Sequence, residues 1–439
     1  LRNLTTEPGY LSPSGSRIFD KRLIDNPMNS AKYIYRCCCC GKEYGGSSDI
    51  YLCPSCSKLN QPENPPKGVL KVIYDYDSIC RNIAQLAGNG YIDLLPIRSL
   101  SSLPQLKVGK TPLYQYSRME GKNLPFTLLL KDDSQNPTFS FKDRASALVS
   151  AYALENGKNE IVTASTGNAG SSLAGICASQ GQKAIIMVPK NAPAAKLTQI
   201  VMYGASIVPV DGSYDQAFDL SVKSSETFGW YNRNTAFNPL TIEGKKTVSF
   251  EIFEQLKGQL PDRIFVPVGD GVIISGVYKG FEDLLMLKLI DRMPTIVAVQ
   301  AKGSSNLVGN LFTDVFCSQT SQTLADSISV DIPRNFYMAR QYIKTYNGEA
   351  VTVTDGEILE ASAILARNTG LFAEPAASAA LAGLISFFRQ NKVEGNTSNM
   401  VLLTGSGLKD LKAVSPIVQF PKAIKPKIDA LKELVDTWK

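Results

Sequence analysis

A chain of 439 residues, 44% hydrophobic and 20% charged, is ordinary globular material and long enough for two or three cores. Its 46 basic against 40 acidic residues leave a net charge of only +6, with no concentrated basic run, which speaks against a nucleic-acid partner. Histidine is absent, so Ser-His-Asp and Cys-His mechanisms and histidine-ligated metals are excluded, and proton transfer falls to lysine, carboxylate, tyrosine or a substrate phosphate. No apolar stretch reads as a signal peptide or a membrane span, and the expected setting is the cytoplasm.

In chain order, residues 1–30 are polar and rich in turn-formers such as Pro8-Gly9, and read as an extended arm. Six of the nine cysteines follow, between Cys37 and Cys56, too local for a disulfide scaffold. Cys37-x2-Cys40 and Cys53-x2-Cys56, twelve residues apart, have zinc-ribbon spacing, in which four thiolates close a structural tetrahedral site. Four unrelated core thiols are the plainer alternative, and Cys38 and Cys39 leave the ligand register open by one. Cys80, Cys177 and Cys317 read as isolated core residues. Asn60 to Gly68 reads as a linker.

From Val69 onward the pattern is α/β. A helix from Asp143 stops at Asn156-Gly157, and further helices are expected over Ser171–Gln180, Lys196–Tyr203 and Ser275–Leu289. Short apolar strands are expected over Ile161–Ala164, Lys183–Val188, Ser206–Val210, Arg263–Val268, Thr295–Ala301 and Met400–Thr404. Continuous apolar strands separated by helices predict parallel sheets covered on both faces.

Three motifs sit at predicted strand ends or helix starts, where ligands of doubly wound sheets gather. In Ser140-Phe141-Lys142-Asp143, a lysine opening a helix beside an apolar residue is biased toward the free amine, the form that makes imines. Taken alone, such a lysine is far more often a surface residue. Ser165-Thr166-Gly167-Asn168-Ala169 offers backbone N–H groups and a helix start to a carboxylate, but also fits an ordinary capping turn. Gly269-Asp270-Gly271-Val272-Ile273 permits the close backbone approach a phosphate needs, with Asp270 expected to point away from it.

Together with Glu243-Gly244-Lys245-Lys246-Thr247, Tyr278-Lys279-Gly280-Phe281, Glu374-Pro375-Ala376 and Thr404-Gly405-Ser406-Gly407, these motifs resemble the fold type II pyridoxal-phosphate (PLP) enzymes, and within them the threonine synthases and close relatives. The resemblance runs from the cysteine cluster to Asp410. It implies two doubly wound α/β domains behind a zinc-ribbon-like segment. The expected boundaries are 1–64 for the arm and ribbon, 65–145 with 246–439 for a large cofactor-binding domain, and 146–245 for a small one. By resemblance, Lys142 holds the cofactor as a Schiff base and shuttles a proton, and Asn168 bonds the cofactor's ring hydroxyl. Ser165, Thr166, Gly167 and Ala169 surround the substrate carboxylate, Gly269 to Ile273 wrap the cofactor phosphate, and Thr404 faces the pyridine nitrogen. The implied reaction converts O-phosphohomoserine and water to threonine and phosphate, in a homodimer with a phosphorylated amino acid as substrate.

Three departures stand out. Phe139 replaces a usual glycine, Gly269–Ile273 differs from the usual Gly-Asn-x-Gly-Asn, and Thr241 stands where an arginine often binds the substrate phosphate. Arg233, Lys245 and Lys190 are the candidate replacements. The rival readings are a cysteate synthase or other elimination or replacement enzyme, and a zinc-ribbon binding protein on an idle scaffold.

Overall fold

Three sheets organise the described residues, each following from a different pattern of side chains. The computed structural model describes residues 32–47 and 50–438, and the expected arm at 1–30 lies outside them. Strands β1 (Tyr33–Cys37) and β2 (Glu43–Gly45) form a hairpin around the first cysteine pair. β3 (Leu70–Tyr74) pairs antiparallel with β1, Cys37 opposite Leu70 and Tyr33 opposite Tyr74. Alternate residues Tyr33, Tyr35, Cys37 and Leu70, Val72, Tyr74 are buried, the period of a half-buried strand. This small sheet therefore takes its third strand from beyond residue 64. The Asn60–Gly68 stretch is tied down rather than free. The Lys67 N–H donates to Asn60 Oδ1 at 2.7 Å, and the Gly68 carbonyl accepts from Cys53 N–H at 2.8 Å.

β4 (Leu113–Met119) and β5 (Lys122–Asp132) form an antiparallel hairpin. Its two turn residues, Glu120 and Gly121, both have positive φ (50° and 75°), as a two-residue hairpin turn requires. The helix Lys142–Glu155 then leads into a four-stranded parallel sheet of β6 (Glu160–Ala164), β7 (Lys183–Pro189), β8 (Ser206–Val210) and β9 (Tyr231–Asn232), in the order β8-β7-β6-β9. Helices Leu240–Lys245 and Thr247–Gln255 bring the chain back. β10 (Arg263–Pro267), β11 (Thr295–Ala301), β12 (Glu349–Val353) and β13 (Ser398–Leu403) then complete a six-stranded sheet in the order β12-β11-β10-β13-β5-β4. Within this sheet only β4 runs antiparallel, a departure from the expected parallel sheets. It is an edge strand with half-exposed side chains, and antiparallel edges tolerate a wet face. Among the described residues no helix is long and apolar enough to cross a membrane.

Two helices begin three residues earlier than their periodicity predicts, at Asn168 and Val272. The loop residues of both motifs thus form, or directly precede, the first helical turns. The lysine helix is buried along most of its length and packs against Leu240–Lys245. Gly244 is needed there, because a Cβ would come 2.3 Å from the Arg144 carbonyl oxygen.

Beneath this contact lies a buried charge cluster. Lys246 contacts Glu243 and bonds Asp283 at 2.7 Å, and Lys279 also contacts Asp283. Tyr74 of β3 donates to Glu243 at 2.7 Å, and Tyr76 donates to Asp283 at 2.6 Å. The cysteine sheet is thereby joined to the helices that support the lysine helix.

Candidate active site

β10 and β13 are parallel neighbours in the large sheet, β6 is a strand of the four-stranded one, and each is followed by one of the sequence motifs. A cavity of about 550 Å³ opens at the ends of β6 and β10, within the usual range for a small-molecule site. Lys142, Ser165 to Ala169 and Gly269 to Ile273 all line it, although they are spread over more than a hundred residues of chain.

Lys142 is the first residue of its helix, and the loop before it is pinned in place. The Phe141 N–H donates to the Thr404 carbonyl at 2.9 Å, and the Ser406 N–H donates to the Phe139 carbonyl at 3.1 Å. Thr138 donates its N–H to Asp143 at 2.7 Å. Phe139 has φ +69°, in the left-handed region that costs a non-glycine residue about 1–2 kcal/mol, which accounts for the glycine expected there. Among the described residues no hydrogen bond or ion pair reaches the Lys142 Nζ. Burial pushes its pKa below the ordinary lysine value; the Glu374 carboxylate works against that and the Arg233 guanidinium adds to it. The result is an uncommitted amine biased toward its neutral, nucleophilic form.

Two helix N-termini point at the same space. Gly167 precedes helix Asn168–Gln180, and Gly271, at φ +85°, precedes helix Val272–Met286; neither helix has a side-chain cap. Their first N–H groups are left for ligand oxygens, and the helix dipoles favour negative charge. The cavity is thus suited to an amine-reactive molecule carrying two separate anionic groups. This is what residues fit to hold pyridoxal phosphate and an amino acid would present.

The remaining expected residues are distributed unevenly. Asn168 lines the cavity, but its Nδ2 donates to both Glu374 oxygens, at 3.0 and 2.9 Å, and to Ser327 Oγ at 3.3 Å. Asp270 was expected to point away, yet it too lines the cavity. Its Oδ1 accepts from the Arg334 N–H at 3.1 Å, and burial raises its pKa. Thr404 is buried beside the lysine loop and is not on the cavity wall. Of the candidate phosphate donors, Lys245 lines the cavity. Arg233 is buried behind it, bonding Ser146 Oγ at 3.1 Å and Thr235 Oγ1 at 2.9 Å. Lys190 is on the surface, paired with Asp211 at 2.5 Å. Thr241 is buried with its hydroxyl donated to the Asn238 carbonyl at 2.8 Å, so it offers the cavity nothing.

Sequence reasoning missed Tyr214 and the wall formed by residues 326–332 and Arg334, and it gave no role to Glu374, whose motif it picked out and whose carboxylate meets Asn168. Glu374 was legible as an acidic residue before a proline-started helix, Pro375–Arg389. The 326–334 segment has no periodicity to reveal it. It is tied to the four-stranded-sheet part of the chain by Lys196 with Asp326, at 2.8 Å, and by Arg334 with Asp215.

The second cluster is separate. The sulfurs of Cys37, Cys40, Cys53 and Cys56 all lie within 4.8 Å of one another, with Cys37–Cys56 and Cys40–Cys53 at 3.8 Å. Metal–sulfur bonds of about 2.3 Å in a tetrahedron give edges of about 3.8 Å, so the four thiols are spaced for one ion. Cys38 and Cys39 stand outside the group, the latter accepting from the Gly68 N–H at 3.4 Å.

Residues 104–405 match the family described as pyridoxal-phosphate dependent enzymes. Threonine synthase of Methanocaldococcus jannaschii is 33% identical over 413 residues, covering 92% of this chain and 99% of that protein. Threonine synthase of Methanosarcina acetivorans is 33% identical over 414 residues, covering 92% and 98%. Among solved structures, the processed form of threonine deaminase isoform 2 from Solanum lycopersicum aligns with a TM-score of 0.63 at 20% identity, covering 82% of this chain and 96% of that one. Maize serine racemase aligns with a TM-score of 0.59 at 22% identity, covering 75% and 94%. At those identities the structures speak to the fold alone, which is fold type II. With the free lysine, the two uncapped helix starts and these matches together, the chain belongs to the pyridoxal-phosphate-dependent enzyme family.

Proposed function

We propose that the protein is a threonine synthase, converting O-phosphohomoserine and water to threonine and inorganic phosphate. The observation that carries this reading is the near full-length likeness to threonine synthases, joined to a cavity that holds a free lysine between two anion-receptive helix starts. Bound pyridoxal phosphate supplies the electron sink for the reacting carbon atoms. The chain's own part is positional. Lys142 presents its amine to the cofactor and moves the proton at the substrate's α-carbon, a role left to lysine in a protein without histidine. The N–H groups at Ser165 to Ala169 hold the substrate carboxylate. Gly269, Asp270, Gly271, Val272 and Ile273 hold the cofactor phosphate, and residues 326–334 keep water out of the closed site. Asn168 steadies the cofactor ring, and Thr404 supports the lysine loop from behind. The same reading divides the chain into a large part, 65–145 with 246–439, and a small part, 146–245, which contains the whole four-stranded sheet.

The test is steady-state turnover with O-phosphohomoserine, and separately with O-phosphoserine plus sulfite, following phosphate release and identifying the amino acid formed. Threonine is the expected main product. Cysteate as the main product, with O-phosphohomoserine inert, moves the assignment to a cysteate synthase. A purified protein with no visible cofactor absorption and no turnover would instead point to an idle scaffold.

We also infer that Cys37, Cys40, Cys53 and Cys56 hold one structural zinc ion. Because metal binding at such a site is part of its folding free energy, Cys53→Ser and Cys56→Ser should lose the metal and loosen β1–β3. Metal content by elemental analysis is expected to fall from one equivalent to near zero. Unchanged zinc in both variants would refute the site.

A further inference from the structure

Lys245 ends the helix Leu240–Lys245, is 1% exposed, and still lines the cavity. Among the described residues no hydrogen bond or ion pair reaches its ammonium group. The contrast with its neighbour is informative. Lys246 is just as buried and has both Glu243 and Asp283 as partners. The fold therefore pairs one buried lysine completely and leaves the next one open to the cavity.

Two cations and one carboxylate act on Lys245. Burial holds its pKa well below the ordinary lysine value, Arg233 and Lys142 push the same way, and only Asp270 opposes them. Asp270 forms no ion pair with it, and one carboxylate oxygen is engaged by the Arg334 N–H. Arg233 has no carboxylate partner either, since its donors go to two hydroxyls and the Lys142 carbonyl. Four aspartates also line the cavity, but Asp215 is paired with Arg334, Asp326 with Lys196, and neither Asp270 nor Asp331 bonds Lys245, so its amine shares the cavity with two uncapped helix starts and has no bonded anion. Lys245 is also rigidly based. A Cβ on Gly276, one turn into the helix that begins at Val272, would come 2.7 Å from the Lys245 Cβ.

We propose that Lys245 is the phosphate-recognising side chain of this cavity, bonding the dianion of a phosphate monoester as the ammonium ion which that dianion stabilises. The inference rests on the reading of the cavity as a pyridoxal-phosphate site for a phosphorylated amino acid. Two such esters meet there, the cofactor's and the substrate's, and both present the same chemistry.

Three full-length proteins separate the sources: wild type, Lys245→Gln and Lys245→Arg. Cofactor is removed with hydroxylamine, and pyridoxal phosphate and pyridoxal are titrated back by absorbance. The holoenzymes are titrated with inorganic phosphate by calorimetry, and O-phosphohomoserine KM is measured where turnover exists. Loss of a charged donor is expected to weaken binding about tenfold to a hundredfold in Lys245→Gln. If the cofactor is the source, pyridoxal phosphate weakens and pyridoxal does not. If the substrate is the source, inorganic phosphate binding and KM weaken while pyridoxal phosphate affinity stays within threefold. Lys245→Arg should recover most of either loss. Should the glutamine variant fail to accumulate, Lys245→Met gives the same comparison. Unchanged affinity for both phosphates, or equal weakening of pyridoxal phosphate and pyridoxal, overturns the proposal. These binding readouts need no turnover. A protein that makes threonine with Lys245 irrelevant removes this inference alone, and one that grips phosphate through Lys245 without making threonine removes only the assigned reaction.

Discussion

Replacing Lys142 with alanine is expected to lower turnover roughly a thousandfold or more, because the variant loses both the cofactor-linking amine and the proton carrier. Stability should change little, since the Nζ makes no bond whose loss would expose a buried partner. Borohydride reduction of the holoenzyme, followed by peptide mapping, should place the pyridoxyl group on Lys142. The structure sharpens this test. Lys190 and Lys196 are engaged in surface ion pairs, and Lys279 is held by Asp283. Among the described residues Lys245 is the only other lysine on the cavity wall, so a label there, or on any of those three, would refute the assignment.

Asp283→Ala is expected to destabilise the protein by about 3–5 kcal/mol, because it strands two buried ammonium groups, Lys246 and Lys279, in one change. An exposed pair such as Arg389 with Glu360 should be worth no more than about 1 kcal/mol in the same assay. The acid branch of the stability curve gives an independent check. Burial alone would raise the Asp283 pKa, but Lys246 and Lys279 outweigh it and hold it below the ordinary aspartate value. A depressed native pKa means the carboxylate's contribution is complete above about pH 3.9 and is lost as pH falls through the lower native value. Wild type and variant should therefore differ most near neutrality and converge in acid. A difference below about 1 kcal/mol at neutral pH, by chemical denaturation, would show that the cluster relaxes or admits water.

Much of this architecture is readable in the chain. β6, β7, β10, β11 and β13 are largely apolar runs followed within a few residues by glycine, asparagine or small hydroxyl residues, and buried parallel strands leave little else to confuse them with. The helix Asp355–Thr369 is marked at both ends, by a capping box between Thr354 and Glu357 and by Gly370 in the left-handed region. β4 is harder, because an edge strand reading Leu-Tyr-Gln-Tyr-Ser-Arg-Met has neither clean alternation nor full burial. The short helix Leu240–Lys245 contradicts local propensity at Gly244, where close packing on Arg144 decides instead. In the site, the motif residues that begin helices come together as their patterns imply, whereas residues 326–334 reach the cavity only through the path of the chain. Spacing alone also leaves four adjacent cysteines ambiguous. The turn between β1 and β2 selects Cys37 and Cys40 and directs Cys38 and Cys39 elsewhere.

The position of β5 has a consequence for how the protein is made. Its parallel neighbour is β13, with Thr127 opposite Ser398, so partners in the middle of the large sheet are about 270 residues apart. A ribosome adding about 5–20 residues per second needs roughly 15–50 seconds to cover that distance. During that interval β5 is shielded on one side by β4, while its other hydrogen-bonding edge awaits a strand not yet synthesised. The four-stranded sheet, encoded by one continuous stretch, has all its strands available long before that. Its completion ahead of the large sheet leaves β5 as the nascent chain's exposed edge, where holdase chaperones would be needed and where premature pairing between two emerging copies would begin.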